Sequence, residues 1–204
     1  ADAQNQSLYS VSNKAKVQVF GAFGFGADSN TLGTTSNGDP VKLSAGGGSG
    51  IGVGAGYALS KSFDLDFDLG YQISSLTPAV SNAEGTFTRS YLLATVKYKV
   101  PVNSTMQLKF GLGAGLYRGG KMDVDTSAAP GGGKLLINFG NATGFHGTGE
   151  MEFNLENDLF FVFGLKYYAV TYSGGSGTFN GAPGTAKDQD GSGLDFLAAF
   201  GRYF

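Results

Sequence analysis

His146, the only histidine in the chain, has Glu150 four residues on, a pairing that could serve general acid–base chemistry. A hydrolase built on it would need a nucleophile in contact with the pair. The chain has no G-x-S-x-G elbow, and no serine has a clear place beside His146. The residue therefore reads as a hydrogen-bonded polar histidine, and no catalytic residue is expected. Asp188-Gln189-Asp190-Gly191-Ser192-Gly193 matches the first half of a calcium loop. The position of its bidentate glutamate falls on Ala199, within an extended segment, so the run reads as a turn. Gly131-Gly132-Gly133-Lys134 lacks the spacing and the following Ser or Thr of a phosphate loop. Cysteine is absent, which removes disulfides and thiolate metal sites. No metal and no cofactor is expected.

The elements that carry these residues have period two. Phe63 to Ile73 places a large apolar residue at every odd position and a polar residue or glycine at every even one. These eleven residues match the about 9–11 that a tilted strand needs to cross a bilayer. Seven further segments alternate in the same way. They start near Ala15, Gly50, Tyr91, Met106, Phe145, Leu159 and Leu194, which makes eight strands. Three connections are short, near residues 60–62, 101–105 and 156–158. Four are long and rich in Gly, Ser, Thr and Asn, near 28–48, 75–85, 118–141 and 173–191. Short turns at one rim and long loops at the other are the layout of transmembrane barrels. Leu135, Leu136, Ile137 and Phe139 in the third long connection are expected to extend the barrel wall.

A soluble sandwich or lipocalin-like barrel would also alternate, but it would need a charged exterior. Only 15% of the 204 residues are charged, against the roughly 25–35% wanted on a soluble surface. An inverted barrel resolves this, with the apolar face toward lipid and the mixed face toward the lumen. Lipid also demands closure, because an open edge leaves amides unpaired in hydrocarbon. The fold class is an all-β, eight-stranded, antiparallel up-and-down transmembrane β-barrel over residues 15–204. Residues 1–14 are expected as a loosely ordered periplasmic segment. The start Ala1-Asp2-Ala3-Gln4 reads as the mature end left after signal cleavage, and a trimmed chain would read the same. A net charge of −2 gives no reason to expect nucleic acid as a partner.

The lumen of so small a barrel is just wide enough for its own side chains to fill. Its acids are Asp64, Asp66, Asp68, Glu150, Glu152 and Asp195, and its bases are Lys16, Arg89, Lys97, Lys109 and Lys166. Uncompensated charges there would be costly, so they should pair. Counting across a turn centred near residue 103 brings Lys97 beside Lys109, with Asp64, Asp66, Glu150 and Glu152 flanking. The expected network is Asp64, Asp66, Asp68, Lys97, Lys109, Glu150, Glu152 and Lys166, in the half nearer the short turns. It serves as a stabilising plug or, alternatively, as a gate. Two glycine ladders face inward: Gly50, Gly52, Gly54 and Gly56, then Gly111, Gly113 and Gly115. Interior strand glycine signals close approach or bending. Tyr91, Tyr117, Tyr168 and Tyr172 are expected to lie over the ladders, and a hollow, hydrated cavity is the alternative.

The strand count, the loop asymmetry and the terminal aromatic resemble the small eight-stranded outer-membrane barrels of Gram-negative bacteria, among them the OmpA transmembrane domain, OmpX and OmpW. Phe204, with Phe200 and Phe196 at alternating positions before it, resembles the signal read by the barrel-assembly machinery. Arg202 stands where that family usually has an apolar residue. The resemblance implies the outer membrane, lipid and lipopolysaccharide as surroundings, assembly by that machinery, and a monomer. The paired lumen charges and the long loops point to a non-enzymatic barrel with a plugged polar lumen, serving membrane anchoring and surface-loop interaction. The alternatives are a narrow pore or OmpW-like passage for small hydrophobic solutes, and a lipid-modifying enzyme using His146.

Overall fold

The structure is a computed structural model, and it describes residues 15–77, 81, 83–127 and 132–204. The strands are β1 (Ala15–Gly26), β2 (Asn30–Thr34), β3 (Pro40–Leu43), β4 (Gly47–Ala58), β5 (Phe63–Ser75), β6 (Glu84–Pro101), β7 (Met106–Asp125), β8 (Lys134–Asn138), β9 (Ala142–Asn154), β10 (Leu159–Tyr172), β11 (Ser176–Phe179), β12 (Ala182–Thr185), β13 (Gln189–Asp190) and β14 (Gly193–Tyr203). Alternation dictates their faces. On β5, Phe63, Phe67, Leu69, Tyr71 and Ile73 are exposed outward, while Asp64, Asp66, Gly70 and Gln72 are buried inward. No helix among the described residues is long and apolar enough to cross a membrane, which says nothing of crossing by strands.

Eight strands close on themselves. Antiparallel pairing runs β1–β4–β5–β6–β7–β9–β10–β14 and back to β1. The closing seam is long, from Lys16 opposite Tyr203 to Gly26 opposite Gly193. No barrel strand is therefore left as an edge along this seam, as hydrocarbon requires. The outer belt is apolar throughout: Val19, Phe23, Phe67, Leu69, Phe110, Phe163 and Phe200 all stand exposed.

Three short turns close one rim. The one after β9 has Asn157 and Asp158 at positive φ. The opposite rim carries more structure than the long linkers suggest. β7 continues to Asp125, because Met122 and Val124 keep the alternation and turn inward. β8 pairs with the end of β7, β11 with β8, and β12 with β11. The apolar run of the third connection thus forms β8 and its flank, with Phe139 buried. The β2–β3 hairpin is tied back by a two-way backbone bridge between Lys42 and Thr77. Leu43, Ala45, Phe87, Met122, Val124, Phe139 and Tyr172 form the buried core of this cap. Residues 1–14, expected as a periplasmic segment, lie outside the described residues, as does Gly131 of the glycine run.

Candidate functional site in the barrel lumen

The inward faces bring the charged side chains into two layers. In the short-turn half, Asp64 is the hub. Lys99 lies 2.6 Å, Lys109 2.9 Å and Lys16 3.4 Å from its carboxylate. Lys16 also reaches Asp66 at 2.9 Å, and Lys97 joins Asp66 at 2.9 Å to Glu150 at 2.7 Å. Lys109 contacts Glu152 at 2.5 Å, and the Tyr203 hydroxyl donates to Glu152 at 2.7 Å. All these groups are buried.

Nearer the long loops, Lys166 pairs with Asp195 at 3.3 Å, and Gln72 donates to the same carboxylate at 3.0 Å. The Lys166 ammonium also lies 4.6 Å from the centroid of the Tyr91 ring. Arg89 is fully buried and meets no carboxylate in an ion pair among the described residues. It donates to the Gly47 carbonyl at 2.6 Å, the Tyr168 hydroxyl at 3.1 Å and Ser74 at 3.3 Å. That carbonyl is available because β4 begins with Gly47 and Gly48 at positive φ, where any Cβ would strike backbone. Tyr91, Tyr117 and Tyr168 stack beside this layer, and Phe87, Phe139 and Tyr172 pack above them.

The hairpin between β6 and β7 turns about Ser104, not residue 103. Lys97 therefore stands opposite Gly111, and Lys99 stands opposite Lys109. This corrects the expected Lys97–Lys109 neighbours. The parity is unchanged, so the face of each residue was right and its partner was two residues off. Lys99 also completes the charge balance, because Asp64, Asp66, Asp68, Glu150, Glu152 and Asp195 face Lys16, Arg89, Lys97, Lys99, Lys109 and Lys166. Asp68 joins no ion pair among the described residues and accepts a hydrogen bond from Gln18 at 3.1 Å.

The glycine ladders lie under side chains, but of the expected tyrosines only Tyr117 reaches a ladder glycine, 3.5 Å from a Cβ at Gly115. A Cβ at Gly50 would meet Gln72, at Gly52 the Phe20 ring, at Gly54 Gln18 and Asp68, and at Gly56 Lys16 and Asp66. On β7, Gly111 lies under Thr95 and Thr148, Gly113 under His146, and Gly115 under Leu93. The tyrosines lie over other glycines: Tyr91 over Gly70, Tyr117 over Gly144, and Tyr172 over Gly191. Phe20, Phe160 and Tyr203 fill the lumen without having been singled out. Their signal was inward parity alone, which Tyr203 carries while Arg202 turns outward to lie near the Phe204 ring.

His146 Nε2 lies 2.8 Å from Thr95 Oγ1, and Glu150 is held by Lys97. Asp188 accepts the Gly174 N–H at 2.7 Å across the long connection and Asp190 the Ser192 N–H at 2.8 Å in its own turn, so both carboxylates are engaged by backbone amides. Among the described residues, no group of three His, Asp or Glu side chains is placed to hold a metal ion. Phe196, Phe200 and Phe204 all point outward.

No family model matches the chain, and no curated protein does. Solved structures share its fold. OprG from Pseudomonas aeruginosa superimposes with a TM-score of 0.62 at 14% identity, covering 97% of this chain and 98% of that one. Neisserial surface protein A gives 0.54 at 17% identity, covering 93% and 97%. The attachment invasion locus protein Ail of Yersinia pestis, bound to sucrose octasulfate, gives 0.51 at 14% identity, covering 95% and 99%. The chain therefore has the fold of the small eight-stranded outer-membrane β-barrels. At these identities the likeness is one of fold.

Proposed function

We propose that this chain is a non-enzymatic integral barrel of the bacterial outer membrane, with a sealed lumen, anchoring a folded cap of long loops at the cell surface. The observation that carries the sealed lumen is the double layer of buried ion pairs crossing it, the lower one centred on Asp64. Aromatic packing adds a third obstruction, with Phe160 and Tyr203 below and Tyr117 and Tyr168 above. The short turns face the periplasm, and the β8–β11–β12 extension faces outward. Lipid and lipopolysaccharide surround the belt, and the barrel is a monomer without a cofactor. The outward Phe196, Phe200 and Phe204 form the segment read by the barrel-assembly machinery. A hydrolytic role has little support, since His146 meets Thr95 and Glu150 is neutralised by Lys97. Liposome swelling tests the seal. Reconstituted protein should admit no small sugar or amino acid above the rate of empty liposomes, and solute-dependent swelling would overturn the reading.

A crevice of about 380 Å³ at the long-loop rim favours a second reading, a passage for small hydrophobic solutes. Phe23, Phe25 and Ile73 line it below, with Ser44 and Lys42 above. Uptake of a small alkane derivative into liposomes, lost when Ser49→Phe, an exposed lining position, fills the crevice, would support that reading over the first.

A further inference from the structure

Between the two charge layers lies a cavity of about 30 Å³, bordered by Asp68, Lys97, Glu150 and Lys166, with Phe20, Leu93, Val162 and Ala199 closing it laterally. Three polar atoms around it have no hydrogen-bond partner among the described residues: His146 Nδ1, Thr148 Oγ1 and the Tyr91 hydroxyl oxygen. His146 and Tyr91 are themselves 4% and 2% exposed. Leaving such groups unpaired in a low-dielectric interior costs roughly 1–3 kcal/mol each.

We propose that this chamber is an internal hydration site, holding a water cluster that bridges His146 Nδ1, Thr148 and Tyr91 and joins the lower charge layer to the upper one. At roughly 10–15 Å³ per water, the volume suits about two or three molecules. Each would find the two to four polar partners a buried water needs. The charges argue for water over an ion. Lys97 and Lys166 border the chamber on one sign, Asp68 and Glu150 on the other, and the lumen acids and bases balance. The lower hydrogen-bonded chain runs from Tyr203 through Glu152, Lys109, Asp64, Lys16, Asp66 and Lys97 to Glu150. The upper one links Lys166, Asp195, Tyr168 and Arg89. The chamber lies where the two chains stop.

Hydroxyl-radical footprinting of the full chain in lipid nanodiscs tests this, because radicals formed from bound internal water label neighbours that bulk solvent does not reach. Residues of one type and similar burial form the comparison: Tyr91 against Tyr168, and Leu93 against Leu43. The chamber residue of each pair should be labelled several-fold faster. Equal rates overturn the proposal. Equally slow labelling means a dry chamber, whereas equally fast labelling means an open lumen and failure of the sealed-lumen reading as well. Crystals soaked in bromide supply the second arm. Solvent density without an anomalous peak supports water, and a bromide peak in the chamber overturns it in favour of an anion.

Discussion

Asp64 gathers three lysine ammonium groups, from β1, β6 and β7, at the short-turn end of the lumen. It ties β1, whose backbone pairs only with β4 and β14, to the paired strands β6 and β7. Removing one partner of a buried ion pair leaves uncompensated charge, whereas removing both can be close to neutral. Asp64→Asn should therefore destabilise the barrel by about 3–5 kcal/mol, measured by urea unfolding in lipid vesicles. The pair Lys109→Met with Glu152→Met should cost less than the sum of the single changes, and a double-mutant cycle reads the difference. The charged site was legible in the sequence to the level of facing. Even-numbered inward positions were enough to nominate Asp64, Asp66, Glu150 and Glu152. Which lysine meets which acid was not legible, because partner choice depends on where the β6–β7 hairpin turns, and the 102–105 loop admits more than one centre.

At the scale of the strand, β4 and β7 pair their inward glycines with large side chains from neighbouring strands. Gly52 lies under the Phe20 ring of β1, and Gly70 of β5 lies under Tyr91. The glycines are thus the sockets for a close-packed lumen. A Cβ at Gly52 meets both the ring and the Leu69 carbonyl, while Gly149 on the outer face of β9 has open space around it. Gly52→Ala should lower the unfolding midpoint clearly and Gly149→Ala should leave it nearly unchanged, as differential thermal melts in detergent can check. Period two made these sockets visible in the sequence, yet apart from Tyr117 at Gly115 the side chains that fill the ladders are not the expected tyrosines. The cover comes from strands adjacent in the barrel and staggered by its shear, which linear spacing does not encode. At β14, the outward Phe204 should matter for assembly more than for stability. Phe204→Ala is expected to slow insertion by assembly-machinery proteoliposomes while leaving the melting point of the refolded protein within experimental error.

For the molecule as a whole, an apolar exterior around a charged interior accounts for a chain with 15% charged residues and 35 glycines. Leu69, exposed at the middle of the belt, should not tolerate a charge. Leu69→Lys is expected to cost about 2–4 kcal/mol in vesicle unfolding, whereas a lysine in the cap, at Thr178, should cost little. The eight-stranded barrel was legible because every spanning segment must alternate and every amide in lipid must pair. The cap was less legible. Its strands β8, β11 and β12 are short and lie in glycine- and serine-rich sequence, so their pairing is set by the continued rise of β7. On the proposed function, the two charge layers and the aromatic packing close the barrel to ions. Planar-bilayer recording of the purified, refolded chain tests that most directly. The account predicts a silent baseline across physiological voltages, with openings seen only when Asp64 and Glu152 are both replaced by alanine. Steady, reproducible unitary conductance from the unaltered protein would contradict it.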